Sequence, residues 1–394
     1  MSPERSLRQI RANVTSRRTP SVTLGADRGT NVGPLRFFAR LCKTILKKHV
    51  KMKDLDTHSG LWPADAWVLT DGKAGDIAQC IGVAEALGLP YQSRVVSPRV
   101  PFTWLMPSGP IDPRERETRT GSPIAPPFPG MVIASGRRTV PYLRRVHKLT
   151  KGRTFTVFLK DPRIGTKAAD FIWVPEHDKL RGPNVLATLT SPHRFSRQRL
   201  EETFCQQDPR IDTLKAPRIA VLVGGNSRHH TFTEEDCARF SDGLKAWSDQ
   251  GLSLMITASR RTPPALQTSL EALARQESHF LWDGTGENPY PAFLAKADAL
   301  VVTADSTNMV GEAAATGKPI HVFSPHGGHP KIDAFVGNLQ ALGIVHPFPG
   351  ALQLTTYEPL DSTPVIATAI RNAISARNAD HPEATVYGSG TGNK

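Results

Sequence analysis

ADALVVTADSTNMVGEAAATGKPIHVFS, residues 297–324, is the stretch of this chain that predicts its fold. Residues 300–303 form a short apolar, β-branched run, which is typical of a strand buried on both faces. Polar residues follow at 305–308, as at a helix N-terminus, and Gly317 marks the end of that helix. Residues 319–323 begin another strand, so the stretch predicts a βαβ unit with two parallel strands.

The turn between the first strand and the helix is a candidate ligand site. Ligands bind parallel sheets at the carboxyl ends of the strands, and a helix N-terminus there offers unpaired N–H groups to a phosphate. Glu312 lies one turn into the helix, where its carboxylate can accept hydrogen bonds from ribose hydroxyls. An ordinary capped helix with a surface Glu explains the same pattern, and both interpretations stay open. The candidate donor-binding residues here are Asp305, Ser306, Thr307, Asn308 and Glu312.

Length and composition limit the class of protein. A chain of 394 residues is too long for one ordinary core, so two domains are expected. No apolar run is long enough to cross a bilayer, and no secretory signal is evident. The four cysteines lack CxxC spacing, so the sequence predicts neither a disulfide framework nor a metal site, and a reducing compartment is expected.

Positive charge is concentrated in an N-terminal arm, residues 1–60. The arm holds 13 Lys and Arg against 4 Asp and Glu, whereas the whole chain has a net charge of +13. Residues 35–50 combine apolar and basic positions at helical spacing, which predicts an amphipathic helix on an anionic membrane surface. Docking on the protein body, a solvated tail and an organellar transit peptide are the alternatives. The rest of the arm and residues 378–394 are expected to be disordered.

Residues 61–205 predict an N-terminal domain with a doubly wound α/β fold. A strand followed by a polar cluster occurs four times between residues 67 and 178, as expected when strands and helices alternate. Two of these clusters, 71–76 and 135–138, contain glycine, so a ligand can approach the backbone closely. Solvated basic turns would give the same pattern. The candidate residues for binding an acceptor or a phosphate are Lys73, Arg137 and Arg138.

Residues 216–346 predict a second domain of the same kind, followed by a helical region at 347–377. The strand at 219–223 leads into a Gly-Gly turn, whose backbone can approach a phosphate while the side chains that follow bond or neutralise it. Two arginines follow the next strand. Because His229 and His230 are adjacent, they do not share a helix face, and no metal site is predicted. The candidate donor-binding residues are Gly224, Gly225, Asn226, Ser227, Arg228, Arg260 and Arg261.

Seven motifs in this chain resemble the mitochondrial-fission ELM family, and they occur in the order of that family. They are DGKAGD (71–76), SGRR (135–138), KDPR (160–163), GGNS (224–227), SRRTP (259–263), DGTGENPY (283–290) and VVTADSTNMVGEAAATGKP (301–319). The stretch 303–319 also resembles the donor-binding helix of GT-B glycosyltransferases, in which a Glu at the position of Glu312 holds the nucleotide ribose. The resemblance implies two Rossmann-like doubly wound domains that face a cleft.

The same resemblance implies a glycosyltransferase that needs no metal and no cofactor beyond its nucleotide sugar. The C-terminal domain would hold a nucleotide-diphosphate sugar at the loops 224–228 and 305–308, and the N-terminal domain would hold the acceptor. A lipid-linked or lipopolysaccharide-type acceptor is expected, at the cytoplasmic face of the membrane. By this analogy Asp71 or Asp76 is the general base, while N–H dipoles and arginines stabilise the leaving diphosphate.

A second function class fits the same family. The plant member that names it is implicated in recruiting the fission machinery to mitochondria. The alternative is therefore a non-catalytic adaptor that docks on a membrane and recruits a protein partner. Nucleic-acid binding is not expected, because the chain after residue 60 is only mildly basic and carries no nucleic-acid-binding motif.

Deleting residues 1–60 should leave a folded body that binds anionic vesicles more weakly. The basic amphipathic pattern at 35–50 adds electrostatic and apolar contacts with lipid, and the shortened chain lacks them. Co-sedimentation with vesicles compares the two proteins, and zwitterionic vesicles are the control. Equal binding by the full and shortened chains would contradict the membrane-arm prediction.

Overall fold

Two parallel β-sheets organise the described part of the chain. The computed structural model describes residues 62–276 and 278–380. The predicted arm with its helix at 35–50, and most of the predicted C-terminal tail, lie outside these residues.

The first sheet has six strands in the order β2-β1-β3-β4-β5-β6, and every neighbouring pair is parallel. The strands are β1 (Ala66–Thr70), β2 (Tyr91–Val95), β3 (Met131–Ser135), β4 (Phe155–Leu159), β5 (Phe171–Pro175) and β6 (Val185–Thr188). The helices of this part of the chain are α1 (Ala74–Leu87), α2 (Val100–Leu105), α3 (Val140–Leu149), α4 (Arg197–Cys205) and α5 (Pro209–Asp212). Short 3-10 turns lie at Pro113–Glu115, Arg137–Thr139 and Thr166–Ala168.

The second sheet also has six parallel strands, in the order β10-β9-β7-β11-β12-β14. These strands are β7 (Arg218–Val223), β9 (Ser253–Ala258), β10 (Phe280–Trp282), β11 (Ala299–Thr303), β12 (Ile320–Phe323) and β14 (Val345–Pro347). A separate antiparallel pair is formed by β8 (His230–Thr231) and β13 (His326–Gly327). The helices are α6 (Glu234–Asp249), α7 (Pro264–Ala274), α8 (Tyr290–Lys296), α9 (Thr307–Ala314), α10 (Pro330–Ala341) and α11 (Thr363–Asp380).

Apolar runs in the central strands explain why helices cover both faces of each sheet. In β1, Ala66 and Val68 enter one hydrophobic cluster, whereas Trp67 and Leu69 enter another on the opposite face. Successive side chains of a strand point to opposite faces, so an unbroken apolar run needs cover on both. β11 divides its side chains between two clusters in the same way. The predicted fold class, α/β with two Rossmann-like doubly wound sheets, is confirmed.

Helix boundaries follow the local signals in the sequence. α1 ends at Gly88, which has the left-handed φ of 72° that glycine adopts without strain. α6 begins with a capping box, in which the Thr233 side chain accepts from the Asp236 N–H and the Asp236 carboxylate accepts from the Thr233 N–H. No helix among residues 62–276 and 278–380 combines the length and the apolar character that a membrane crossing needs.

The segment 201–217, at the junction of the two predicted domains, is packed against the second sheet. It contains most of α4 and all of α5, and Ile211 and Leu214 bury against the core of the second sheet. The Lys296 ammonium donates to an Asp212 carboxylate oxygen at 2.6 Å, which ties α5 to α8. The first part of the chain therefore reaches the second sheet before β7 begins.

The C-terminal helix α11 returns to the first sheet. Its buried side chains recur every three or four residues and join the cluster that covers one face of β1 and β3: Ile366, Ala367, Ile370 and Ile374. The helix continues to Asp380, three residues into the tail that was predicted to be disordered. The chain thus crosses between the two sheets twice, once before β7 and once before α11.

Ile370→Ala should lower the free energy of unfolding by about 2–5 kcal/mol, because it leaves a cavity in the core beneath α11. Urea unfolding followed by circular dichroism measures the change. Val365→Ala is the matched control, since Val365 lies on the same helix with more than half of its surface exposed. A similar small loss in both variants would show that α11 is not part of this core.

Candidate functional site

The polar turns meet at the carboxyl ends of both sheets, where the strand order reverses. In the first sheet the reversal falls between β1 and β3, and in the second it falls between β7 and β11. Open α/β sheets bind ligands in the crevice at such a switch point. The turns that follow these four strands contain the predicted site residues at 71–76, 135–138, 224–228 and 305–308. The two crevices are the candidate site.

The helices α1 and α9 bring the two crevices together. The Gln79 side chain donates from Nε2 to Asn308 Oδ1 at 2.9 Å, linking α1 of the first half to α9 of the second. A Cβ added to Gly75 would lie 2.5 Å from Asn308 Nδ2, so glycine at this position leaves room for the Asn308 side chain. A second link joins Lys331 of α10 to the Asp178 carboxylate, which follows β5. The cleft is therefore bridged by side chains from both halves.

Both helix N-termini present N–H groups that no acceptor occupies. Within the described residues, the N–H groups of Ala74, Gly75 and Asp76 on α1, and of Thr307 and Asn308 on α9, have no hydrogen-bond partner. Such groups carry partial positive charge and attract anions. The Oε1 atom of Gln79 also lacks a partner although Gln79 is only 2% exposed. The free N–H groups suit an anionic ligand, whereas the free Gln79 oxygen suits a hydrogen-bond donor such as a hydroxyl group.

Glu312, predicted to face a ribose, is partly buried on α9. The Tyr290 hydroxyl donates to its Oε2 atom at 2.5 Å, and the Tyr290 ring packs 5.6 Å from that of Phe195. Burial raises the pKa of Glu312 to about 7, and the hydrogen bond from Tyr290 only partly offsets this. Glu312 therefore changes charge near neutral pH, which the sequence pattern did not reveal.

The glycine-rich turn after β7 uses most of its N–H groups within the protein. Gly224 N–H donates to Thr303 Oγ1 at 2.8 Å, and Gly225 N–H donates to Asp305 Oδ2 at 3.1 Å. The N–H groups of Asn226 and Ser227 donate to backbone carbonyls, those of Arg261 and His230. The Arg228 N–H has no acceptor within the described residues. Contact of this turn with a diphosphate remains a prediction, and the helix N-termini offer more free donors.

Close packing within the protein explains both glycines of this turn. A Cβ on Gly224 would lie 2.2 Å from Asp305 Oδ1, and one on Gly225 would lie 2.1 Å from the backbone carbon of Arg261. These distances are far below van der Waals contact. The glycines are therefore required by the protein's own carboxylate and backbone, whether or not a phosphate also approaches them.

Asp305 is a buried structural carboxylate rather than a solvent-facing one. Its side chain is fully buried, pairs with Arg261 Nη2 at 3.0 Å and accepts from Thr303 Oγ1 at 2.6 Å. Arg261 also donates to the Asn226 carbonyl at 2.8 Å, so its guanidinium is partly committed. Arg228 and Arg260 are exposed and pair with no carboxylate within the described residues. These two arginines are the free cations on this side of the cleft.

The other predicted residues at the N-terminus of α9 are Ser306, Thr307 and Asn308, and each has a distinct position in the helix. Ser306 is the N-cap of α9, and its Oγ accepts from the Met309 N–H at 3.4 Å. Thr307 and Asn308 form the first turn, with the Asn308 side chain turned to Gln79. This part of the predicted donor site touches the opposite half of the cleft.

The two candidate bases of the first half are both buried and both paired with a lysine. Asp71 pairs with Lys73 at 2.6 Å, and Asp76 pairs with Lys160. Asp71 also packs against Gly136, where an added Cβ would lie 2.9 Å from the carboxylate. Its Oδ1 atom is buried without a hydrogen-bond partner. Within the described residues each carboxylate keeps one oxygen without a hydrogen bond, Oδ1 of Asp71 and Oδ2 of Asp76, so both stay candidate bases.

Arg137 and Arg138 lie in the turn after β3, exposed at the same edge of the sheet. Arg137 Nη2 donates to the Thr103 carbonyl at 3.3 Å, and Arg138 makes no ion pair within the described residues. Both guanidinium groups are therefore available to an acidic ligand.

Sequence reasoning missed three side chains that shape the cleft. Lys160 and Tyr290 lie within motifs quoted above, so their place in the chain was marked but not their role. Gln79 carried no signal, because its partner Asn308 lies 229 positions away. Among residues 62–276 and 278–380, no group of three or more His, Cys, Asp or Glu side chains could hold a metal ion.

Comparison with known proteins gives the family. The model of the family described as mitochondrial fission ELM1 matches residues 74–374, which include five of the six strands of the first sheet, all of the second sheet and most of α11. The chain belongs to the mitochondrial fission ELM1 family. The family match therefore extends past the quoted motifs, into the helix that returns to the first sheet.

Two relatives of this ELM1-family chain match it over different lengths, 276 and 354 residues. It is 27% identical to the mitochondrial fission protein ELM1 of Arabidopsis thaliana over 63% of this chain and 65% of that protein, just under two thirds of the plant protein's length. It is 26% identical to an uncharacterized protein of Rickettsia prowazekii over 78% of this chain and 98% of that one. Among solved structures, the UDP-GlcNAc 2-epimerase of Methanocaldococcus jannaschii has a TM-score of 0.48 at 9% identity, with 78% and 98% of the two chains covered.

Gly225→Ala should lower the free energy of unfolding by about 1–3 kcal/mol, because the new Cβ would clash with backbone atoms of Arg261 and Thr262, which cannot rotate out of the way as a side chain can. Gly311→Ala on α9 is the matched control, since its Cβ would have no neighbour closer than 3.9 Å. Chemical denaturation measures both. Unchanged stability in the Gly225 variant would mean that this glycine is not required by the protein's own packing.

Proposed function

We propose that this chain transfers a sugar from a nucleotide-diphosphate donor to an acceptor hydroxyl in the cleft between its two sheets. The observation that carries the proposal is the pair of facing helix N-termini, with five unpartnered N–H groups beside a half-buried carboxyl group. A diphosphate matches the N–H groups and a ribose matches the carboxyl group. Membership of the ELM1 family and the two doubly wound sheets support a glycosyltransferase-like role.

The donor is proposed to lie along α9. Its diphosphate would accept hydrogen bonds from the Thr307 and Asn308 N–H groups, assisted by the free guanidinium groups of Arg228 and Arg260. Glu312, one turn further along the helix, would accept from the ribose hydroxyls once it is ionised. Tyr290 holds the Glu312 carboxyl group in place from α8.

The acceptor is proposed to enter from the first half. Its hydroxyl oxygen attacks the anomeric carbon while the bond from that carbon to the diphosphate oxygen breaks. The electron pair of that bond stays on the leaving nucleoside diphosphate, which the helix N-termini and arginines stabilise. The hydroxyl proton passes to a carboxylate oxygen of Asp71 or Asp76, each of which is held by a lysine through its other oxygen.

A lipid-linked or lipopolysaccharide-type acceptor at the cytoplasmic face of the inner membrane is the finer proposal. Lys73, Arg137 and Arg138 lie at the acceptor side and would bind the phosphate of such a carrier. The predicted amphipathic arm at 35–50 would hold the protein at that surface as a peripheral protein.

A non-catalytic membrane adaptor is the second candidate function. It is favoured by the turn at 224–228, whose N–H groups mostly bond within the protein, and by the ion pair between Arg261 and the buried Asp305. A cleft closed by such contacts would suit a scaffold that recruits a protein partner. In that case no nucleotide sugar would bind or stabilise the fold.

Glu312→Gln tests the donor site. Charged hydrogen bonds contribute about 1.5–3 kcal/mol and neutral ones about 1 kcal/mol, so donor affinity at pH 8 should fall on the order of tenfold. In the unmodified protein, affinity should rise as pH increases through about 7, since only the ionised Glu312 carboxylate accepts from both ribose hydroxyls. The variant should lose this pH dependence. Calorimetric titration with UDP-, GDP-, ADP- and CMP-sugars from pH 6 to pH 8 measures both effects.

Stability provides an independent check on the same residue. The folded state raises the pKa of Glu312 from 4.5 to about 7, so stability falls as pH rises between these two values and stays at its lower level above about 7. The unliganded Glu312→Gln protein should therefore melt at a higher temperature than the unmodified protein at pH 8. Glu271→Gln, an exposed carboxylate on α7, is the control for both measurements. Absence of binding to every nucleotide sugar would favour the adaptor function.

A further inference from the structure

The short helix α2 displays large apolar side chains on the surface of the first half. Val100, Trp104 and Leu105 are 57%, 77% and 58% exposed, and Val95 at the end of β2 is also exposed. These four residues form what we call the Trp104 tip. Tryptophan is usually well buried, and a cluster of exposed apolar side chains marks a surface that meets an apolar partner.

The tip is fixed to the core rather than loosely attached. Phe102, in the middle of α2, packs against the hydrophobic cluster of the first sheet, and Met106 directly after the helix is buried. At the other end, Arg99 makes two side-chain hydrogen bonds to Asp112, at 2.7 and 2.6 Å. The Arg99 guanidinium holds the pKa of Asp112 well below its usual range, so this pair persists at physiological pH. The exposure of Trp104 is therefore a property of the folded protein.

Free positive charge lies beside the tip. Arg137 Nη2 donates to the carbonyl of Thr103, one residue before Trp104. Arg137 and its neighbour Arg138 are exposed, and neither pairs with a carboxylate within the described residues. α2 follows the carboxyl end of β2, and the arginines follow the carboxyl end of β3. The tip and the arginines thus share the edge of the sheet that carries Asp71.

We propose that the Trp104 tip inserts into the interface of an anionic lipid bilayer, with Arg137 and Arg138 against the lipid phosphates. An indole ring on an apolar helix face suits the boundary between headgroups and acyl chains. Arginines beside it complement the negative charge of that surface. A stable protein partner would need about 800 Å² of complementary surface on this side, which is more than a one-and-a-half-turn helix supplies.

This inference deepens the proposed function, because it sets the acceptor side of the cleft at the membrane that would carry a lipid-linked acceptor. It differs from the predicted arm at 35–50, since the contact is made by the folded body. Lipid insertion is measured without any turnover, so the two proposals can fail separately. If the protein transferred sugar but Trp104 did not insert into lipid, this inference would be wrong. If Trp104 inserted but no nucleotide sugar bound, only the proposed transferase function would be wrong.

The test uses the full chain and vesicles of phosphatidylcholine and phosphatidylglycerol. Part of the lipid carries brominated acyl chains, which quench the fluorescence of nearby tryptophan side chains. The tryptophan fluorescence of the unmodified protein should be quenched when it binds these vesicles. The Trp104→Phe protein should still bind, but most of that quenching should be lost. Trp62→Phe is the matched control: Trp62 is 42% exposed but precedes β1, at the opposite end of the strand. It should leave the quenching unchanged.

The arginines are tested on the same vesicles. Replacing both Arg137 and Arg138 by alanine should weaken binding roughly 25-fold, since each contributes about 1 kcal/mol near an anionic surface and 1.4 kcal/mol is tenfold. Equal quenching of Trp104→Phe and the unmodified protein, or no quenching in either, would overturn the proposal. Protection of Trp104 from soluble acrylamide before vesicles are added would also overturn it, because another protein surface would then cover the tip.

Discussion

The Asp305 carboxylate is fully buried and accepts hydrogen bonds from Gly225 N–H and Thr303 Oγ1, with Arg261 as its ion partner. A buried charge is costly unless every lone pair finds a donor, so these partners cannot move independently. Gly225 and Arg261 lie in the turns after β7 and β9, and Thr303 ends β11, so Asp305 ties the ends of these three strands into one unit. That unit sets the direction in which α9 begins. The donors left free for a ligand are consequently those of α9 rather than those of the glycine-rich turn.

The first half repeats this arrangement with a different outcome. Asp71 follows β1 and packs on Gly136 after β3, as Asp305 packs on Gly224 after β7. Asp305 has all its oxygens engaged, whereas Asp71 keeps Oδ1 without a partner. Two similar carboxylates at two switch points thus have different environments. One is suited to holding the backbone, and the other is suited to accepting a proton.

Local patterns in the sequence determined the central strands and most helices, while contacts between distant segments could not be predicted. β1, β3 and β11 were found because their apolar runs are buried on both faces, but the edge strand β2, which reads Tyr-Gln-Ser-Arg-Val, is mostly exposed and was missed. A helix N-terminus within residues 305–308 was predicted, whereas the pairing of Asn308 with Gln79 depends on residues 229 positions apart. The raised pKa of Glu312 likewise depends on burial by Tyr290 from another helix.

The double crossing of the chain restricts how the two halves can move. The first crossing passes Thr190 and His193, and the second passes Ser362 and Thr363, with Thr190 Oγ1 2.7 Å from Ser362 Oγ and the His193 N–H donating to Thr363 Oγ1 at 3.0 Å. The two connections are hydrogen-bonded side by side. Rotation of the two halves about the line through these connections is therefore the low-energy motion, and sliding of one half past the other is opposed. The cleft therefore opens by this one rotation. Each opening must break the contacts of Gln79 with Asn308 and of Lys331 with Asp178, which together form a latch on substrate entry.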